Sequence, residues 1–395
     1  MNLLKKISTI VLISAVSIQI SACGNIYDKE YVYISDYVPA QAGTVSDEST
    51  VSLHNFSSLK REIRNLVASG DAEGTVIFAD DYDGVPSDDL SQACWEVRTQ
   101  DALCAYCVEN ISYELSHIIS YDEAKLNITY SDIGIDISDI ISIPYTLGLE
   151  DHALEAISSG SNKVSLLVNY ASYDAKTVES IVTKAYRSNP IVSPRQPGVN
   201  VNVFSGANSQ RLYEISFSYD VSASELESER LSLSQVELPI YSDESVEDTA
   251  TKTETDESDD AEETADVDSS YNKCLIAYTY LADMCSYSAD AGSSIYDALV
   301  LKEADSEGLA LAFNAVCNSL GLESEIVEGQ RGSEEHFWNM VRVEGDYYHL
   351  DISAFLNNKN EVPTLHSDNF MWGTYKWDVE SYPSCSKNMP LIDVD

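Results

Sequence analysis

The sequence predicts an α+β protein: an N-terminal mixed α/β or α+β domain joined by a disordered acidic linker to a second α+β domain at the C-terminus. Three observations carry this. Leu309, Ala312, Phe313, Val316, Cys317 and Leu320 recur at helical spacing, and two apolar-rich runs split by Glu344, Gly345 and Asp346 follow them as a hairpin would. Between Leu59 and Tyr219, strand-like and helix-like runs interleave. From Ser242 to Ser270 the chain holds thirteen Asp or Glu against one Lys. That stretch has almost no large apolar surface to bury against the cost of ordering, so it reads as a solvated spacer rather than a tail that captures cations or partners.

The elements follow in chain order. Met1 to Ala22 has Lys5 and Lys6, then an apolar run from Ile7 to Ile20, then Ile20-Ser21-Ala22-Cys23, which resembles the bacterial lipobox. Residues 1–22 are therefore expected to be a lipoprotein signal peptide and Cys23 the lipidated residue; the alternative is an ordinary secretory signal with a coincidental cysteine. On the first reading the chain sits at the outer face of the bacterial cytoplasmic membrane, extracytoplasmic and anchored by lipid. No later run is apolar enough to cross a bilayer. Residues 23–57, rich in Ser, Asp and Tyr at their start, read as a flexible tether.

Residues 58–222 read as an α/β module of unassigned role. Helices are expected at Leu59 to Ala68, within Leu90 to Leu115, and at Ala175 to Arg187. Strands are expected at Thr75 to Ala79, Lys125 to Tyr130 and Lys163 to Tyr170, with Gly198 to Phe204 and Arg211 to Tyr219 as an antiparallel pair. Residues 223–270 form the linker with its acidic insertion, and 271–395 the C-terminal domain.

In that domain Gly321 ends the helix as a C′ glycine would, so Ser306 stands near the helix N-terminus, where orphan N–H groups favour negative charge. If Glu344-Gly345 is a two-residue loop, Val343 faces Asp346 and Asp351 comes opposite Trp338. His336 and Asp351 then share a face as diagonal neighbours, about 7–8 Å apart at the backbone and within side-chain reach. A nucleophile, a base and an orienter are thus offered by Ser306, His336 and Asp351. Against this stands a plainer use, in which Ser306 or Asp305 is only a helix N-cap.

The segments YDALVLKEADSEGLALAFNAVCNSLGLESEIVEG and HFWNMVRVEGDYYHLDIS resemble the transglutaminase-like superfamily of papain-related domains. The resemblance implies a papain-like fold, with His336 as the catalytic His before a Trp-Asn pair and Asp351 as the catalytic Asp. It places Ser306 where the family carries its nucleophilic Cys, and Leu309 where an aromatic is usual. A helix-terminal thiol can have its pKa lowered to about 3.5–7.5 and wait as thiolate. A hydroxyl cannot; Ser306 would have to pass its proton to His336 during attack. Cys317 cannot stand in, because eleven residues of helix span about 16 Å.

The remaining residues bound the function. A net charge of -43 excludes an ordinary nucleic-acid binder. Setting Cys23 aside from eight cysteines leaves seven, an odd number, which is no disulfide scaffold; a Cys274–Cys285 or Cys385 bridge stays open. Cys104 and Cys107 have redox or zinc-ligand spacing, with Cys94 as a third candidate, but they read as the core face of a helix. No metal or cofactor is expected. Trp338, Tyr296 and Tyr347 are cleft candidates, and His349 shares the face of Asp351. The favoured reading is a degenerate enzyme that binds peptide or a peptidoglycan stem in its old cleft. The alternatives are an active acyl hydrolase or transferase using Ser306, His336 and Asp351, and a surface spacer with no cleft at all.

Overall fold

The computed structural model describes residues 51–207, 209–241, 270–357 and 363–391, all within one compact unit, Thr50–Asp395. Residues 1–22 read as a signal peptide, Cys23, the tether up to residue 50 and the acidic segment 242–269 lie outside the described residues. No helix among the described residues is long and apolar enough to cross a membrane.

The first part of the chain forms β1 (Val51–Asn55), α1 (Phe56–Ser69), β2 (Glu73–Asp83), α2 (Pro86–Gln100), α3 (Ala102–Cys107), β3 (Val108–Ile118) and β4 (Tyr121–Tyr130). Asn55 caps α1 in a reciprocal box with Ser58, and Leu59, Ile63 and Val67 form its buried stripe. The sheet runs β1-β2-β4-β3, parallel between β1 and β2 and antiparallel elsewhere.

The chain then repeats this plan. β5 (Ile141–Tyr145), α4 (Leu149–Ser159), β6 (Lys163–Tyr170), α5 (Ala175–Ser188), β7 (Gly198–Ser205) and β8 (Arg211–Ser218) make a second sheet. Its order is β5-β6-β8-β7, again parallel in the first pair and antiparallel in the others. Helices α1 and α4 occupy the same place in the two halves, and both end on a left-handed glycine, Gly70 and Gly160.

The span 58–222, expected as one module, is therefore two βαβαββ units in tandem. Strand and helix periods locate elements but do not say which strands pair, and Ser131 to Ile140 between the units carries no compositional break. The halves also share an interface. From α3, Tyr106 donates to Glu214 of β8 and meets the Ser165 hydroxyl of β6, while its ring packs edge-on against Phe204 of β7. Two further boundaries differ from expectation. β1 begins inside the stretch assigned to the tether, and α6 (Ala223–Leu233), capped by Ser222, lies inside the stretch assigned to the linker.

Cys104 and Cys107 sit on α3, a separate short helix whose N-cap is Asp101, rather than late in a long one; the extended backbone of Asp101 ends α2. Burial pushes the thiol of Cys94 up to about 11 and of Cys107 up to about 12, and Cys104 higher still. Thiols held protonated are poor nucleophiles. All seven described cysteines are free, Cys274, Cys285 and Cys385 included.

The C-terminal domain opens with α7 (Ser270–Met284) and the short strands β9 (Ser286–Tyr287) and β10 (Glu303–Ala304). Helix α8 (Ser306–Leu320) follows, then β11 (Ser324–Arg331), β12 (Glu334–Val343), β13 (Asp346–Leu350) and α9 (Ile352–Asn357). β14 (Thr364–Leu365), α10 (Asp368–Met371), β15 (Tyr375–Trp377) and β16 (Met389–Pro390) complete it. The main sheet is β13-β12-β11-β15, antiparallel throughout. Glu344 and Gly345 both take positive φ, as a primed two-residue hairpin loop requires, and Val343 pairs with Asp346. The predicted register is the observed one. Helix α8 is buried along nearly its whole length and tied to β12 by Asn339, whose side chain donates to the Ala310 carbonyl at 3.0 Å.

The second βαβαββ unit is fastened to this domain at the end of α5. The Arg187 guanidinium lies 2.6 Å from Glu328 and 3.3 Å from Glu307, over the Phe337 ring, while its carbonyl accepts from Asn314 of α8.

Candidate active site

Ser306 is the first residue of α8, and the structure decides what it is not. Asp305 is the N-cap: its Oδ1 accepts from the Glu307 amide at 2.9 Å and the Gly308 amide at 3.0 Å, and its Oδ2 accepts from the Ser293 hydroxyl at 2.6 Å. The Ser306 hydroxyl is thus not spent on capping. It accepts instead from the Phe337 amide at 3.3 Å, which places it against β12 one residue from His336. Of the first amides of α8, those of Glu307 and Gly308 are taken, whereas that of Ser306 has no partner among the described residues. A developing oxyanion here would have that single backbone donor from the helix.

His336 and Asp351 meet, Nε2 to Oδ2, at 2.7 Å, and both are buried. Asp351 is a hub. Its Oδ2 also accepts from the Tyr375 hydroxyl at 2.7 Å, and its Oδ1 accepts from the Ser353 hydroxyl at 2.6 Å and the Ala354 amide at 3.1 Å. Burial raises the carboxyl's pKa, but hydrogen bonds from His336, Ser353 and Tyr375 outweigh it and hold the group below its ordinary value. An ionised carboxylate only accepts, so Nε2 of His336 carries a proton and Nδ1 of the neutral ring keeps its lone pair. That is the tautomer a base needs.

Trp338 stacks near His336, with ring centroids 6.3 Å apart, and is held from behind. Its Nε1 donates to Nδ1 of His349 at 2.9 Å, and Nε2 of His349 lies 2.9 Å from Asp368, whose other oxygen accepts from the Cys385 amide. His349, Asp368 and Cys385 offer ligand atoms within 4.8 Å of one another. They do not suit a metal. Indole N–H can only donate, so Nδ1 of His349 must be the acceptor and Nε2 must bear the proton; a metal on Nε2 would set two donors face to face. The cluster is a polar relay that fixes Trp338.

No hydrogen bond or ring contact joins Tyr296 or Tyr347 to Ser306, His336 or Asp351 among the described residues. The Tyr296 amide bonds the Pro194 carbonyl at the boundary with the second βαβαββ unit. Tyr347 donates to Glu323 at 2.6 Å, and four residues of strand, about 13 Å, separate it from Asp351. Trp338 flanks His336 but is buried, a floor and not a rim. Ser353 and Tyr375 are site residues that sequence reasoning misses, and it gives Asp368 and Cys385 no place near the site. Ser353, two residues past Asp351 in the first turn of α9, could have been suspected as a partner for the carboxylate.

Glu307, beside Ser306, is unusual in charge. Burial pushes its carboxyl up to about 7 even though Arg187 pulls the other way, with Asp305 and Glu328 adding to the rise. A carboxyl whose pKa is raised by folding binds its proton more tightly in the native state. Its ionisation cost is absent below the unfolded value of about 4.3 and grows as pH rises toward 7. Glu307→Gln is therefore expected to flatten one component of the decline in unfolding free energy across that window, read from denaturant titrations at several pH values. An unchanged slope would contradict the assigned environment.

Residues 258–352 match the family model of the Transglutaminase-like superfamily, a span that includes Ser306, His336 and Asp351. No curated protein matches the chain. Among solved structures, one described as a TGase is 11% identical and aligns over 78% of this chain and 79% of its own, with a TM-score of 0.20. A candidate cysteine protease from Cytophaga hutchinsonii is 10% identical over 50% of this chain and 77% of its own, with a TM-score of 0.21.

Proposed function

We propose, from the premise that the C-terminal part of the chain is a transglutaminase-like domain, that this domain is a degenerate enzyme. In this reading it binds an extended peptide, or a peptide stem of the cell wall, in its former active-site cleft. The protein would work at the outer face of the bacterial cytoplasmic membrane, anchored there by lipid on Cys23.

The carrying observation is the state of the hydroxyl at the nucleophile position. Ser306 accepts from the Phe337 backbone amide, and no hydrogen bond joins it to His336 among the described residues. A thiol could be ionised in place by the imidazole, but a hydroxyl needs a close, aligned base at the moment of attack. Acyl transfer is thereby impaired while the His336–Asp351 pair and Trp338 remain in position. A second reading keeps the site active as an acyl hydrolase or transferase, with Ser306 as nucleophile, His336 as base and Asp351 as orienter. The unpartnered Ser306 amide favours it, since that donor is where an oxyanion would need one.

Fluorophosphonate labelling of the purified protein separates the two. The degenerate site is expected to label no better than Ser306→Ala, whereas Ser306→Cys should gain a thiol that iodoacetamide alkylates and whose reactivity disappears with His336→Ala. Strong labelling of the native protein that vanishes in Ser306→Ala would establish the hydrolase instead. Binding is read by titrating peptides and muropeptides against tryptophan fluorescence, where saturation is expected. A flat response across a broad panel would leave the cleft without a ligand.

A further inference from the structure

The site is completed from outside the span that the family model matches. Tyr375 lies on β15, a three-residue strand at the free edge of β11, well beyond residue 352. Its hydroxyl reaches the same Asp351 oxygen that receives the His336 proton. Its ring packs against His336 and Trp338 with centroids 5.9 and 5.2 Å away, and the Arg331 guanidinium lies over it, 5.5 Å from its centroid.

We propose that Tyr375 is a positioning residue for His336, acting through Asp351: it shares the Oδ2 acceptor, fixes the carboxylate's orientation and tempers the charge that the imidazole meets. The proposal rests on the reading of His336 and Asp351 as the retained pair of the site, but not on whether Ser306 reacts.

The direction follows from hydrogen-bond chemistry. Oδ2 takes two donors, while Oδ1 is already satisfied by Ser353 and Ala354. Burial and the nearby carboxylate keep the Tyr375 hydroxyl protonated, so it is a donor throughout the physiological range. Removing it leaves Oδ2 with more unshared charge, which stabilises imidazolium over imidazole. The other charged or titratable neighbours are Arg331, 3.9 Å from Asp351, Tyr287 and Glu334 beside them, and His349 behind Trp338. None of these is altered by Tyr375→Phe, which keeps the ring and its packing.

The test is an NMR pH titration of histidine ring resonances in the full chain, with His336 assigned by the signal lost in His336→Gln. Tyr375→Phe is expected to raise the His336 midpoint by at least ~0.3 unit, where one unit corresponds to about 1.4 kcal/mol. Tyr130→Phe, whose hydroxyl bonds the Asp71 carbonyl far from the site, should leave it unchanged. Ser353→Ala cannot stand in for Tyr375→Phe, because the Ser353 hydroxyl bonds Oδ1 and also lies 3.3 Å from Nε2 of His336. If Tyr375→Phe does not fold, a site-specific fluorotyrosine at position 375, a stronger hydroxyl donor, should lower the midpoint, and an unmoved midpoint there overturns the proposal as well. An unmoved midpoint in a folded Tyr375→Phe protein overturns the proposal, as does a His336 that fails to titrate in both proteins. Because no ligand or substrate is present, a failure here is separate from a failure of peptide binding or of fluorophosphonate labelling.

Discussion

Asp351→Ala is expected to cost the C-terminal domain about 3 kcal/mol, because three buried donors and one half-buried donor lose their acceptor at once. Those donors are the His336 ring, the hydroxyls of Tyr375 and Ser353, and the Ala354 amide. An orphaned buried donor costs about 1–3 kcal/mol, so a simple sum would be larger. Part of it is returned, since the variant no longer desolvates a carboxylate. Asp351→Asn should fall between the two, as it keeps one acceptor but turns an amide N–H toward donors. The effect carries a pH signature. The carboxyl's pKa is lowered by folding, so its stabilisation is present above the unfolded value of about 3.9 and is lost as pH falls through the native one. The gap between native protein and Asp351→Ala should therefore narrow in acid. Denaturant titration at pH 7 and near pH 3 measures both; a cost below about 1 kcal/mol at pH 7 would mean the hub is not closed as described.

The pair at the centre of this hub was legible in the sequence because it depends on local rules. Glu344-Gly345 specifies a two-residue loop, the loop fixes the register of β12 and β13, and the register sets Asp351 on the face of His336. The helix that carries Ser306 was legible for the same reason, from its apolar period and its terminal glycine. What the sequence could not decide was which of two adjacent cap-forming residues caps the helix. Asp and Ser are both favoured there, and only the tertiary approach of β12 shows that Asp305 does so and Ser306 does not.

Non-local pairing explains the rest. Tyr375 is remote in sequence from Asp351 and sits on a strand of three residues, too short to show alternation. The repetition of the βαβαββ plan was hidden for a related reason. At one place in the plan α2 ends on Arg98, Thr99 and Gln100 and leaves Trp95 exposed, whereas the last turn of α5 carries Arg187, which grips the C-terminal domain. The two units meet different neighbours, so their likeness lies in strand order more than in residue type.

Gly329→Ala should be as damaging as any substitution at the site, although Gly329 touches none of the reacting groups. It lies in β11, paired with His336 on one side and with Trp377 on the other. A Cβ there would come 2.3 Å from the Lys376 carbonyl and 2.7 Å from the Trp338 ring. Neither can yield cheaply. The carbonyl belongs to the backbone of β15, and Trp338 is fully buried and pinned by His349. The constraint is space and not backbone angle, in contrast to Gly332, which has positive φ but nothing within 4 Å of where a Cβ would stand. Overpacking of this kind costs about 1–3 kcal/mol and sometimes more, and relief has two routes. If β15 peels from β11, Tyr375 leaves Asp351; if Trp338 moves, His336 loses the ring stacked beside it. Either route couples stability to the geometry of the imidazole, so Gly329→Ala should lower the unfolding midpoint, and by the first route it should also raise the His336 titration midpoint, as Tyr375→Phe does. Faster amide exchange confined to residues 375–377 would identify the first route, and altered indole fluorescence without it the second. A variant that melts like the native protein would show that β15 is not packed as tightly as the 2.3 Å approach requires.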